Sequence, residues 1–300
     1  MYEVVLQDID LGMIMDSGQV FRIREIGENL FFVAAGKNGV VIRQSVMPDS
    51  DNTVRLRFSC TEEEFREFWY SYFDLGTDYG KIKLCVDPED DFLGASLRYG
   101  GGIRVLRQDL WEMIISFLIS QNNNISRIRK SIEALCERFG EECMLPDSMM
   151  ESFEAFSDDF PADHFPKTFY GFPTPEDIFS RGLDGLKELG LGYRDKYLFR
   201  MAERCCGDSG KEWLDTLAKS SYDDAVVLLM QEFGIGRKVA DCICLFALHH
   251  VDAFPIDTHI RQILTQFYPQ GFPFERYQGF AGILQQYMFA YKLTLPKGSK

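Results

Sequence analysis

VVLLMQEFGIGRKVADCICLFALHHVDAFPIDTHIRQI, residues 226 to 263, holds the pattern from which the rest of the chain is read. The apolar run Val226 to Phe233 predicts a helix. Gly234-Ile235-Gly236 breaks it with two residues that tolerate positive φ, and a second helix starts at once with Val239, Ile243 and Phe246 on one face. The result is a helix-hairpin-helix over about residues 226–248. The glycines Gly234 and Gly236 bare backbone N–H groups at a helix start, where the positive end of the helix dipole adds to them, so the tip suits an anion such as a phosphodiester. Lys238 lies just behind that tip. A lysine in the first turn opposes the dipole and has Arg237 beside it, so a structural role is poorly motivated; an amine so placed is a candidate nucleophile once neutral.

Downstream, Phe254-Pro255-Ile256-Asp257-Thr258-His259 is expected to close the second helix and open a third, with Asp257 as N-cap of the periodic run Ile260, Ile263, Leu264, Phe267. Taken alone, Asp257 reads as a cap. In company it reads differently. GIGRKVADCIC followed by PIDTH, with Cys242 one turn after Lys238 and Asp257 nineteen positions beyond the lysine, resembles the helix-hairpin-helix DNA glycosylases. The resemblance is to their lysine-bearing branch, the 8-oxoguanine DNA glycosylase/AP lyases.

Composition bounds this reading. Three hundred residues at 46% hydrophobic can bury a large core and suggest two domains, or one elongated helical domain with an appendage. No run of eighteen apolar residues exists, and MYEVVLQDIDLG has neither a basic nor an apolar leader segment, so a soluble, non-secreted protein is expected, cytoplasmic in a bacterium or nuclear in a eukaryote. Eight irregularly placed cysteines fit a reducing compartment and lack zinc spacing, so neither metal nor cofactor is expected. Nothing indicates oligomerisation, and monomer is the default.

The net charge of −14 runs against nucleic-acid binding, since basic surface supplies most non-specific affinity for phosphate. Eight of the acidic residues, and no Lys or Arg, fall between Glu141 and Asp163, which reads as a solvated face turned away from DNA. Weak non-specific binding that falls quickly with salt is expected.

Residues 1–102 read as an antiparallel α/β domain. LFFVAA from Leu30, GVVIRQSV from Gly39 and TVRLRFSC from Thr53 are short strands between Gly, Asn and Asp turns, and Thr61 with Glu64 forms a capping box. Within this part, DSGQVFR from Asp16 matches a segment of the family in which the glycine carbonyl accepts a hydrogen bond from N7–H of 8-oxoguanine; that residue here is Gly18, and Asp16 replaces a common proline. From 103 to 300 the periodicity is helical. LWEMIISFLIS after Asp109 reads as a core helix, and Asn122-Asn123-Asn124 as a polar turn capping a helix from Ile125 to Phe139.

The resemblance gives further residues a role. Asn122 and Arg127 correspond to family residues that contact the cytosine left behind when the lesion is flipped out. LGLGYR suits Tyr193 as a wedge in the base stack, with Arg194 available to the opposite base. Gln285 and Phe289, at i and i+4 near the C-terminus, suit a ring to stack on a flipped purine and an amide to read its edge, although Ile283 stands where the family often has tryptophan or tyrosine. Phe246 and Cys242 are assigned to the same base pocket, and Val239 and His259 to the DNA. The partner so implied is duplex DNA containing 8-oxoguanine. Lys238 would attack C1′, Asp257 would stabilise the developing charge on the sugar, and a Schiff base would lead to β-elimination. Two other readings stay open: a superfamily enzyme for alkylated or mismatched bases, and a non-catalytic module that binds DNA through the hairpin alone.

Overall fold

The computed structural model describes residues 1–47, 52–145 and 166–296; most of the acidic stretch assigned to a face away from DNA, Asp147 to Asp163, lies outside them. Five antiparallel strands, β1 (Tyr2–Gln7), β2 (Ile23–Gly27), β3 (Leu30–Ala35), β4 (Asn38–Val46) and β5 (Thr53–Phe58), form one sheet in the order β1-β5-β4-β3-β2. The three strands expected from the sequence are the three central ones, and β3 is buried along its whole length. The two that escaped notice are the edges. β1 is half exposed in alternation and β2 carries Arg24, Glu25 and a register shift before Gly27, devices that blunt a sheet edge and also dilute its apolar signal. The Thr61–Glu64 capping box is formed: Glu64 N–H donates to Thr61 Oγ1 (3.2 Å), and Thr61 N–H donates to the Glu64 carboxylate (2.8 Å).

Helices supply most of the rest, giving an α+β fold in which the sheet precedes a larger helical part; that part is not purely helical as expected, because Glu142–Met144 and Thr168–Tyr170 pair as a short antiparallel ribbon. The helices that build the site are α1 (Leu11–Asp16), α2 (Asp91–Gly100), α3 (Leu110–Ser120), α4 (Ile125–Phe139), α5 (Arg194–Cys205), α6 (Tyr222–Met230), α7 (Arg237–Phe246), α8 (Thr258–Phe267) and α9 (Ala281–Thr294). Two apolar cores form. One joins the sheet to α1 and to the aromatic cluster Phe58, Phe65, Trp69 and Phe73; the other fills the space between the helices, with Phe117, Ile243 and Leu284 fully enclosed. Helix α2 belongs to the second core, where Phe92 stacks on Phe267 of α8 at 4.0 Å between ring centres. α3 is buried almost all round, as an apolar helix of that kind must be.

The hairpin is present with shifted edges. α6 starts at Tyr222, capped by Ser221, and stops at Met230. Of the two glycines only Gly234 uses a left-handed conformation, φ +92°, and a Cβ there would lie 2.6 Å from the Tyr197 ring. Gly236 has φ −97° and open space where its Cβ would be, so it serves as the bare N-cap of α7. α7 ends at Phe246, and a non-helical segment precedes Asp257. No described helix is long and apolar enough to cross a membrane.

Candidate active site

A narrow cavity of about 60 Å³ opens where the turn after α1 meets α3, α7 and α9. Gly18, Cys242, Phe246, Gln285 and Phe289 line it, so every residue assigned to the base pocket converges there. Gly18 adopts φ +76°, a conformation natural to glycine, and a Cβ there would lie 3.6 Å from the Phe289 ring. The turn is fixed by Gln19, which is fully buried: its Nε2 donates to Ser17 Oγ (3.0 Å) and to the Arg104 carbonyl (3.0 Å), and its Oε1 accepts from Leu106 N–H (2.9 Å). The reading of SGQ singled out the glycine and missed this glutamine, whose signal was a polar residue directly ahead of the apolar pair Val20-Phe21.

Phe117 of α3, also unforeseen, stacks on Phe246 at 5.5 Å and carries the Lys238 ammonium 5.7 Å above its ring. Lys238 is exposed in the first turn of α7, while Cys242, one turn on, is buried beneath it. Burial pushes the Cys242 thiol up, and the neighbouring Lys238 offsets this only in part, so the thiol is neutral. Arg237 does not compete with Lys238, because its guanidinium is tied to Asp241 (2.9 Å) and to Tyr222 Oη (3.0 Å), clamping α6 to α7. Asp257 caps α8, its Oδ1 accepting from Ile260 N–H at 2.8 Å. The cap engages Oδ1 and holds the carboxylate at the cavity. Cap and site residue are therefore one placement.

Lys238 and Asp257 also line a second, open groove of about 870 Å³. Asn122, Arg127, Tyr193, Gly236, Val239 and His259 lie along it. Asn122 has φ +50°, a conformation asparagine tolerates, and is exposed. Asn124 caps α4 by accepting from Arg127 N–H (3.0 Å), and the Arg127 side chain is exposed, with no ion pair among the described residues. Tyr193 is 48% exposed. Ala240 is the first residue of α7 whose N–H bonds back into the helix (to Gly236 O, 3.0 Å), so the N–H groups of Arg237, Lys238 and Val239 have no intrahelical acceptor. His259 meets the edge of Phe289 at 5.8 Å and joins groove to pocket.

Two assigned residues sit behind the groove wall. Arg194 is buried; its Nε donates to the Gln121 carbonyl (2.8 Å), its Nη2 to the Asn122 carbonyl (2.9 Å) and its Nη1 to the Leu191 carbonyl (3.1 Å). Gly234 offers its carbonyl to Gln121 Nε2 (2.9 Å). Both brace the asparagine turn against the hairpin.

Residues 1–114 match the family model for the N-terminal domain of 8-oxoguanine DNA glycosylase, and residues 115–271 match that for HhH-GPD superfamily base excision DNA repair proteins. The chain belongs to the 8-oxoguanine DNA glycosylase family of that superfamily. It is 36% identical over 176 residues to the N-glycosylase/DNA lyase of Saccharomyces cerevisiae, covering 56% of this chain and 42% of that one. Identity to the N-glycosylase/DNA lyase OGG1 of Arabidopsis thaliana is 31% over 275 residues, 87% of this chain and 66% of the relative. The chain thus spans less than half of the yeast protein and about two thirds of the plant one. Among solved structures, MBOgg1 in complex with a low-affinity DNA ligand superposes with a TM-score of 0.81 at 30% identity, covering 97% of this chain and 95% of that one. The Clostridium acetobutylicum 8-oxoguanine glycosylase/lyase, bound to duplex DNA with cytosine opposite 8-oxoguanine, gives 0.79 at 29% identity, with 96% and 94% covered. A 3-methyladenine DNA glycosylase from Archaeoglobus fulgidus, at 20% identity and a TM-score of 0.70, shares the fold alone.

Proposed function

We propose that this protein excises 8-oxoguanine from duplex DNA, preferring cytosine opposite, and then cleaves the strand at the resulting abasic site. The observation that carries the proposal is that Lys238 and Asp257 are shared by two spaces of opposite character, a narrow pocket walled by the rings of Phe117, Phe246 and Phe289 and an open polar groove fit for a backbone. A nucleotide flipped from the groove would put its base in the pocket and its sugar between these two side chains. The neutral Lys238 amine attacks C1′ as the bond to the base breaks and the base leaves with the electron pair. Asp257 offsets the positive charge that develops on the sugar. Opening of the sugar ring gives a Schiff base; loss of the C2′ proton then expels the 3′ phosphate and cuts the strand.

The pocket has room for about two water molecules, less than a purine requires. Phe289, only half buried and held edge-on to His259, is the wall piece free to give way. On the groove side, the exposed residues Arg127 and Asn122 both line the groove from which the nucleotide would be flipped. Cytosine offers O2 and N3 as acceptors to such donors, whereas adenine sets its amino group against them. The Clostridium relative bound opposite cytosine supports the same preference. The test is excision of 8-oxoguanine opposite each of the four bases, with borohydride trapping of the Schiff base. Excision strongest opposite cytosine together with a trapped adduct is expected; binding without excision would leave only the hairpin-module reading.

A further inference from the structure

Helix α9 places two glutamines in succession, Gln285 and Gln286, in an otherwise apolar interior, 3% and 4% exposed. Burying two side-chain amides in a core is unfavourable unless their donors and acceptors are met. The first is met at both ends. Its Nε2 donates to the Pro255 carbonyl at 2.9 Å, and its Oε1 accepts from Gln286 Nε2 at 2.8 Å. The direction of this relay follows from chemistry. A proline carbonyl can only accept, so Gln285 must turn its NH₂ toward Pro255 and its oxygen toward Gln286, which must answer with its own NH₂. The relay therefore ends in a bare acceptor. Gln286 Oε1 is buried and has no donor among the described residues, while Gln286 lines the same cavity as Gly18, Cys242 and Phe289.

We propose that Gln286 is a second base-reading residue whose Oε1 accepts a hydrogen bond from the Watson–Crick edge of the flipped purine. The inference rests on the base-excision reading and adds to it a criterion for the base. A guanine-type base presents N1–H and a 2-amino group on that edge, both donors. An adenine-type base presents a lone pair at N1 and no 2-amino group; its one donor on that edge, the 6-amino group, stands where the guanine-type base carries its 6-carbonyl, so at the N1 and C2 positions it has nothing to give the orphan acceptor. Pro255 makes this selection rigid, because rotating Gln286 to offer NH₂ to an adenine would set its oxygen against that of Gln285.

The experiment compares wild type with Gln286→Met, which keeps the length and removes the acceptor. Single-turnover excision is measured on 8-oxoguanine, 8-oxohypoxanthine and 8-oxoadenine, each opposite cytosine; borohydride trapping on a preformed abasic site and the melting temperature report on the fold. Excision of 8-oxoguanine by Gln286→Met should fall about tenfold while 8-oxoadenine excision stays within about twofold of wild type, so the preference between them narrows. If 8-oxohypoxanthine, which keeps N1–H and lacks the amine, stays with 8-oxoadenine, the amino group is the donor; if it falls with 8-oxoguanine, N1–H is. An equal loss on all three bases, an unchanged preference, or loss of abasic-site trapping along with excision would overturn the assignment. Should wild type itself leave 8-oxoguanine untouched, the base-excision reading fails instead, and the two failures are distinguishable.

Discussion

The pocket and the groove touch at Lys238 and Asp257 but are built on opposite principles. In the pocket, polar groups are buried and aimed by partners inside the protein, as Gln19 is by Arg104 and Leu106, and Gln285 by Pro255 and Gln286. In the groove they face solvent: Arg127 is exposed, Asn122 is exposed, and the bracing is left to buried Arg194 behind them. A buried contact is made at full strength or is costly to lose, whereas an exposed one is screened by water and salt. The pocket should thus act as a strict filter for one base and the groove as a graded one for what lies opposite. Substitutions can break that contrast or sharpen it.

The largest effect belongs to the junction. Lys238→Gln should abolish both excision and borohydride trapping, a loss of several orders of magnitude, while lesion binding survives, because the amide keeps the shape but cannot attack C1′. Single-turnover excision near the wild-type rate would remove Lys238 from the chemistry. Next comes Asp257→Asn, expected to slow excision by about 10²–10³-fold. Asparagine is as good an N-cap as aspartate, so Ile260 N–H keeps an acceptor and the melting temperature should hold, whereas Asp257→Ala should in addition lose about 1 kcal/mol of stability. Full activity in Asp257→Asn would reduce the residue to its cap.

These junction residues were the most legible from sequence, and the reason is local. Glycine hairpin, lysine, cysteine one turn on and the capped aspartate all follow from spacing within one stretch, and the structure places them as that spacing requires. The central strands and the helix from Ile125 to Phe139 were legible because burial enforces their pattern. What was hidden depends on contacts between distant segments. Gln19 reaches Arg104 and Leu106, Gln121 reaches Gly234, and Arg194 bonds the carbonyls of Gln121 and Asn122, so that an arginine expected to face DNA is spent within the protein. Gln286 was passed over beside Gln285 because only the three-dimensional relay distinguishes the satisfied amide from the orphan.

In the groove, Arg127→Ala should reduce excision opposite cytosine by about ten- to a hundredfold, the cost of one charge-assisted contact, and leave the already poor activity opposite adenine nearly unchanged. The preference would flatten. Raising salt should weaken the wild-type preference in the same direction, as expected of an exposed contact. A parallel drop against all four bases would mean that Arg127 holds phosphate only, and the graded filter would have to be sought elsewhere along the groove.

The smallest effect is expected at Cys242, and it bears directly on what makes the pocket strict. A thiolate paired with the Lys238 ammonium would act on the dipole of the base, and Cys242→Ala would then harm discrimination of 8-oxoguanine from guanine more than it harms trapping. The structure argues for the other case: the thiol is buried, its acidity is weakened by that burial beyond what Lys238 can restore, and it stays protonated through neutral pH. Neutral Cys242 fills space beside Phe246. Its removal should therefore cost about 1 kcal/mol of stability and lower excision and trapping together by only a few fold, with the ratio of 8-oxoguanine to guanine excision held. Because a group raised in this way stays neutral until well into the alkaline range, the pH profile of trapping from neutrality to mildly alkaline conditions should also be the same in wild type and Cys242→Ala. Measuring both quantities in the two proteins decides the matter: a selective loss of discrimination, or an alkaline limb present only in wild type, would show that the filter works by charge and not by shape.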